Sequence, residues 1–345
     1  MFFGIRVHFL FLLQAFVLDY SVGYYGFDIC FSGERCVALD DCLDSHKISI
    51  YNYNLKSKIC EKNKICCPKP GNILPDYMTC GQSSPQNRVA FGAKADMNEF
   101  PWMAMLLYQN TTTWDPRFVS VCGGSLINSR YVLTAAHCVV SVKYVPKDLL
   151  LRKVRLGEHD TSSNPDWVQL ANGKWMKAPR HLEIEVEEIV VHTNYNWQLE
   201  NDIALLRLEM PVSYTNEIRP ICVPTKHFSL KNSLLQIAGW GLTENGQYSE
   251  VLLKSTILES HKCPHEFEYF RETSQICAGG QSKTDTCTGD SGGPLMAIRG
   301  RSFDEYVYVA GITSYGNHGC GVNVNPGIYT KTGFYFKWIW ENLKA

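Results

Sequence analysis

The sequence predicts an all-β domain of about 250 residues preceded by a small disulfide-stapled module. Three observations carry this. From Val89 onward the apolar and β-branched residues come in short runs separated by Gly, Pro and Asn clusters. The fourteen cysteines fall into two groups, six between Cys30 and Cys67 and eight spread from Cys80 to Cys320. Helical spacing of apolar residues occurs only at the end of the chain. The runs read as strands are Trp102 to Tyr108, Tyr131 to Thr134, Ile184 to Val191, Ile203 to Leu208, Leu234 to Ala238 and Tyr306 to Ile312. Phe334 to Leu343 reads as an amphipathic helix.

The cysteine-dense segment is too short to bury much apolar surface and needs disulfides as staples. After it, Pro68-Lys69-Pro70-Gly71 opens a stretch with Pro75, Gly81, Ser83, Ser84 and Pro85, read as an extended, accessible linker over 68–88. At the start, Arg6 precedes an apolar run from Val7 to Leu18 and small residues at Ser21 and Gly23. Residues 1–23 therefore read as a secretory signal peptide, because the run is too short to span a hydrocarbon core of ~30 Å. An even number of cysteines agrees with an oxidising, extracellular destination. With 33 Lys+Arg against 34 Asp+Glu, charge offers no case for a nucleic-acid or anionic-membrane partner.

Hydrolysis of a peptide bond at neutral pH needs a nucleophile, a base, a group to orient the base and donors for the oxyanion. Thr134-Ala135-Ala136-His137-Cys138 places a histidine at the end of a strand-like run, beside a cysteine that can pin it. Asn201-Asp202-Ile203-Ala204-Leu205 places an aspartate at the head of an apolar run. Gly289-Asp290-Ser291-Gly292-Gly293-Pro294 places a serine in a glycine-rich turn, where the backbone can bend and approach a substrate closely. Singly the first two say little; in the order His, Asp, Ser the three make coincidence unlikely.

With these motifs, Val89 to Ala345 resembles the chymotrypsin-like, trypsin-type serine proteases. The resemblance implies two packed six-stranded antiparallel β-barrels with a C-terminal helix. It makes Ser291 the nucleophile, His137 the general base and then acid, and Asp202 the group that holds the imidazole tautomer. The backbone N–H groups of Gly289 and Ser291 would form the oxyanion hole, and no catalytic cofactor is required. It also puts the floor of the specificity pocket at Asp285, six residues before Ser291, with Gly316 and Gly327 as open walls. A carboxylate at the bottom of a narrow slot favours Arg or Lys in the substrate; the alternative for Asp285 is a solvated loop. Ser314-Tyr315-Gly316 resembles the edge that pairs with the substrate backbone. Disulfides Cys122–Cys138, Cys263–Cys277 and Cys287–Cys320 are implied.

Upstream, Cys30, Cys36 and Cys42 are each separated by five residues; seventeen lie before Cys60, five before Cys66, and Cys67 is adjacent. Ending in Cys-Cys-Pro, this is similar to the clip domain of arthropod serine proteases and assigns it to 24–67, ahead of a protease domain over 89–345. Spacing leaves connectivity open; the resemblance joins Cys30 to Cys66, Cys36 to Cys60 and Cys42 to Cys67, and pairs Cys80 with Cys222. The last bond would keep the module attached after activation. Arg88-Val89-Ala90-Phe91-Gly92 matches the activation site, so that a cut after Arg88 frees the Val89 amine to pair with Asp290; Ala90 and Phe91 depart from the usual Ile-Val-Gly-Gly. Gly157 to Asp166 carries three carboxylates in a turn-rich segment. Its spacing alone suits a solvated acidic loop, whereas the resemblance makes Glu158, Asp160 and Asp166 side-chain ligands and Ser163 a carbonyl ligand of structural calcium. Asn110-Thr111-Thr112 is a glycosylation sequon. The implied function is a secreted zymogen in an extracellular proteolytic cascade of innate immunity, melanisation or development. Its partners would be a protein substrate (another zymogen or a secreted ligand precursor), an upstream activating protease and a serpin-type inhibitor, with no nucleic acid or membrane. The rival reading is a non-catalytic clip-domain adaptor.

Overall fold

A computed structural model describes residues 30, 34–38, 59–62, 64–68, 71–82, 93–113, 117–140, 143–169, 173–231, 233–243, 245–281, 288–300, 304–316 and 325–345. The signal-peptide reading and the expectations for Cys42, Arg88, Val89, Asp285, Cys287 and Cys320 lie outside the described residues. Among the described residues, no helix is long and apolar enough to cross a membrane.

The amino-terminal module is a three-stranded antiparallel sheet in which β3 (Lys64–Pro68) lies between β1 (Glu34–Ala38) and β2 (Ile59–Glu61). Cys30–Cys66 and Cys36–Cys60 cross-link it, and Cys67 is also disulfide-bonded. A stretch this small has almost no apolar interior of its own, and the buried residues recorded in it are Cys60, Ile65, Cys66 and Cys67.

In the large domain, β4 (Ala93–Lys94) leads to β5 (Met103–Asn110), β6 (Phe118–Leu126), β7 (Tyr131–Thr134), the one-turn α1 (His137–Val140) and β8 (Leu149–Leu156). A hairpin of β9 (Trp167–Gln169) and β10 (Trp175–Lys177) follows, then β11 (Leu182–Val191) and β12 (Ala204–Leu208). These close a six-stranded barrel in the order β11-β12-β7-β6-β5-β8. The second half supplies β13 (Leu235–Gly239), β14 (Leu253–Ile257), α2 (Cys263–Glu266), β15 (Gln275–Gly279), β16 (Pro294–Arg299), β17 (Tyr306–Gly316) and β18 (Pro326–Lys331). They form a sheet in the order β15-β18-β17-β16-β13-β14, with β4 added at the edge. Backbone bonds Ser260 N to Cys277 O (2.8 Å) and Gly279 N to Leu258 O (2.8 Å) draw the two ends of this sheet together into the second barrel. The chain ends in α3 (Phe336–Glu341), within the stretch read as helical.

Trp102, fully buried at the head of β5, donates from Nε1 to Met296 Sδ of β16 at 3.2 Å, so one core runs through both barrels. The Cys80–Cys222 disulfide joins the linker to the second barrel, and Gly81 extends this contact through backbone bonds with Val307 and Pro220. The linker is thereby stitched to the domain on the amino-terminal side of Arg88.

Candidate active site

Strand β7 is buried along its whole length and ends in the fully buried Ala135 and Ala136, so His137 enters the interior at the start of α1. Cys138 is bonded to Cys122 of β6, which fixes the start of this helix. Asp202 arrives from the other side on a loop where Leu199 and Asn201 take φ of 60° and 56°. That left-handed geometry is tolerable for Asn and costly for Leu; Leu199 is held there by burial and by Gln275 Nε2 donating to its carbonyl at 3.4 Å.

Asp202 is fully buried and collects three donors: His137 N at 2.9 Å on Oδ1, His137 Nδ1 at 2.7 Å on Oδ2, and Ser314 Oγ on Oδ2. An ionised carboxylate only accepts, so the ring proton belongs on Nδ1 and Nε2 keeps its lone pair. Ser314, read from sequence only as part of the substrate edge, thus also fixes Asp202. The direction of a side chain on β17 is not encoded in its spacing, so this second role had no signal.

Ser291 sits in the turn between Gly289 (φ 101°) and Gly292 (φ 79°). A Cβ at Gly292 would lie 2.2 Å from Thr134 Oγ1, 2.5 Å from Gly123 O and 3.2 Å from Cys138 Sγ, so only glycine lets this turn pack against the residues flanking His137. Gly123 N donates to Ser291 O at 2.8 Å and Gly292 N to Thr313 O at 2.9 Å, tying the turn to both barrels. Among the described residues no hydrogen bond joins Ser291 Oγ to the ring; such bonds are often loose without substrate and tighten in the complex. Asp290 turns its carboxylate to the Gly239–Gly241 segment, accepting from Gly241 N at 2.9 Å. A Cβ on Gly239 would stand 2.0 Å from its Oδ1. Gly239 and Gly241 are therefore part of the site, and in the sequence they look like ordinary turn residues beside Trp240.

Gly316 and Gly327 pair with one another across β17 and β18, and the Tyr329 ring packs beside Gly327, its hydroxyl 3.2 Å from where a Cβ would stand. Tyr315 lies edge-on to Phe267, and burial pushes its phenol up to about 12, so it stays protonated through the neutral range. The ring of Tyr144 lies 5.1 Å from that of His137, a cover over the base that no sequence pattern announces.

The loop expected to take calcium brings two of its carboxylates together. His159 N donates both to Glu158 Oε1 (3.0 Å) and to Asp166 Oδ2 (3.1 Å), and both residues are buried. Burial alone would raise Glu158, but His181 and Arg155, each 3.0 Å from Oε2, outweigh it and hold the carboxyl below its ordinary value. Asp160 instead turns its carboxylate to Ser162 N and Oγ, while Ser163 Oγ donates to Asp166 Oδ1 at 2.9 Å. Two buried carboxylates converging on one N–H fit a hard dication, with Asp160 needing to turn inward to join them. Asn110 ends β5 half-buried, its Oδ1 accepting from Thr112 and its Nδ2 donating to Asp148.

A buried His–Asp pair at the seam of two antiparallel barrels, with a glycine-bracketed serine turn packed on it, defines a chymotrypsin-like serine protease. The Trypsin family model matches residues 89–339. The chain is 42% identical to the Spaetzle-processing enzyme of Drosophila melanogaster, covering 79% of this chain and 70% of that protein. It is 34% identical to phenoloxidase-activating factor 1 of Holotrichia diomphalia over 98% of this chain and 99% of that one. Among solved structures it resembles the Drosophila Grass clip serine protease of the Toll pathway, with a TM-score of 0.64 and 30% identity over 90% and 96% of the two chains. The chain belongs to the trypsin family, within the arthropod clip-domain serine proteases, and is a trypsin-like serine endopeptidase.

Proposed function

We propose that the chain is a secreted zymogen, activated by cleavage after Arg88, that cuts protein substrates after Arg or Lys. The observation that carries this is the buried His137–Asp202 pair beside the Ser291 turn. In the proposed reaction His137 Nε2 takes the Ser291 Oγ proton as Oγ attacks the scissile carbonyl. The imidazolium formed is stabilised by Asp202, and Gly289 N and Ser291 N bind the oxyanion, where each donor contributes ~3 kcal/mol. His137 then protonates the leaving amine. Similarity to a Spaetzle-processing enzyme and to a phenoloxidase-activating factor supports a secreted ligand precursor or another zymogen as substrate, an upstream protease as activator, and an immune, melanisation or developmental setting. A serpin-type inhibitor is part of the same reading.

In this reading Asp285, which the family resemblance assigns to the pocket floor, sets the primary preference. On fluorogenic substrates differing only at the residue before the cut, the activated enzyme should favour Arg or Lys over Phe by at least about a hundredfold, as expected when a buried carboxylate must be paired. A preference for Phe would sink the assignment.

The 158–166 loop would hold one structural calcium through Glu158, Asp160, Asp166 and the Ser163 carbonyl, stabilising the fold by ligand linkage and taking no part in the chemistry. Thermal unfolding should rise across a calcium titration in the native protein and not in Asp160→Asn/Asp166→Asn. Equal gains in both would place the ion elsewhere.

A further inference from the structure

We propose that the β9–β10 hairpin is a docking surface for an acidic segment, bearing apolar residues, of the protein substrate. The register pairs Trp175 with Gln169 and Lys177 with Trp167. Alternation along the two strands then puts Trp167, Gln169, Trp175 and Lys177 on one face, and this face is the exposed one: Trp167 is 53% and Trp175 63% accessible. Val168 and Met176 point the other way and are half-buried. Lys177 Nζ stands 5.1 Å from the centre of the Trp167 ring, so cation and aromatic surface are presented together. From Trp167 to His181 the sequence carries Lys174, Lys177 and Arg180 and no carboxylate. Two tryptophans held on a sheet face within a purely cationic segment complement an anionic strand with apolar side chains.

The occupant is assigned to the substrate because the cavity beside the Ser291 turn includes Thr161, at the start of the stretch that leads into the hairpin. A cavity of about 720 Å³ is lined by Gly289, Phe118, Arg117 and Thr161 together. Thr161 N donates to Glu250 O at 2.8 Å, and the Asp160–Val251 bridge fastens the same point to the second barrel. Thr161 opens the stretch that ends in Trp167. A chain leaving the catalytic serine on the Gly289 side through this cavity would reach Thr161, six residues before Trp167. The proposal rests on the protease reading, but its test does not require catalysis.

Full-length chain carrying Ser291→Ala is titrated with fluorescein-labelled synthetic peptides. One is rich in Asp, Glu and Phe, a second has Asn and Gln in place of the acids, and a third has Lys and Arg. The acidic peptide should bind on the order of tenfold tighter than the amide peptide, and should weaken as salt is raised. Trp167→Ser/Trp175→Ser should lose this binding with an unchanged unfolding midpoint, and Lys177→Glu/Arg180→Glu should shift the preference to the basic peptide. Equal binding of acidic and amide peptides, or unchanged binding by the tryptophan variant, overturns the proposal. So does peptide-independent dimerisation that the tryptophan variant abolishes, which would assign the face to a second copy of the chain. Loss of Arg-substrate hydrolysis by the activated Ser291 enzyme, by contrast, would count against the protease reading alone.

Discussion

Asp202→Asn should lower kcat of the activated enzyme by about 10⁴-fold with KM little changed, the size of loss known for this triad. The direction follows from the bonds in this chain. His137 N donates to Oδ1, so an asparagine must keep its amide oxygen there and turn its NH2 to the position of Oδ2. That group donates, so the ring must present a lone pair at Nδ1 and carry its proton on Nε2. The base is then in the wrong tautomer to accept from Ser291. Ser314→Ala removes one of the three donors to Asp202 while leaving the tautomer intact, and its loss should be much smaller. Steady-state kinetics on one Arg substrate compares the three proteins; a fall of less than tenfold in Asp202→Asn would mean that the pair does not set the tautomer.

Lys254→Met should cost about 3–5 kcal/mol of stability, measured by denaturant unfolding, because it leaves the Glu99 carboxylate buried without its cation. Lys254 Nζ meets Glu99 at 2.8 and 2.6 Å, and both residues are buried. Glu99 belongs to the turn just after β4, and Lys254 pairs with Ala93 across β14 and β4, so the pair anchors the start of the large domain to the second barrel. The double change Glu99→Gln/Lys254→Met removes both charges and should recover most of the loss, since a buried ion pair adds little net stability over uncharged packing. A single variant as stable as the native protein would show that Glu99 finds water or another donor.

The same lysine shows why part of the fold was hidden in the sequence. Strands with clean runs, such as Tyr131 to Thr134, are legible because nothing polar interrupts them. Leu253–Ile257 is not, because its second residue, Lys254, looks like a surface residue until Glu99, far away in the chain, is brought to it. In Phe118–Leu126 the adjacent Gly123 and Gly124 read as a break. Gly124 is required there because a Cβ on it would meet Val132 at 2.7 Å and the Leu133 carbonyl at 3.1 Å. The β9–β10 hairpin has strands of three residues, too short for a period to register. At the site, His137, Asp202 and Ser291 stood out because each lies in a motif with a local backbone reason. Ser314 on Asp202, Tyr144 over His137 and the Gly239–Gly241 seat of Asp290 are contacts between segments distant in the chain, and no local pattern carries them.

Labelling the full-length chain with a fluorophosphonate, before and after cleavage following Arg88, tests the central claim most directly. A single adduct on Ser291 is expected, forming only in the cut protein, since in the proposed activation Asp290 first receives the Val89 amine. Run without reductant, the labelled protein should migrate as one species through the Cys80–Cys222 bond; with reductant, the label should sit in the fragment that begins at Val89. An adduct on another residue, or equal labelling of Ser291 in the uncut chain, would contradict it.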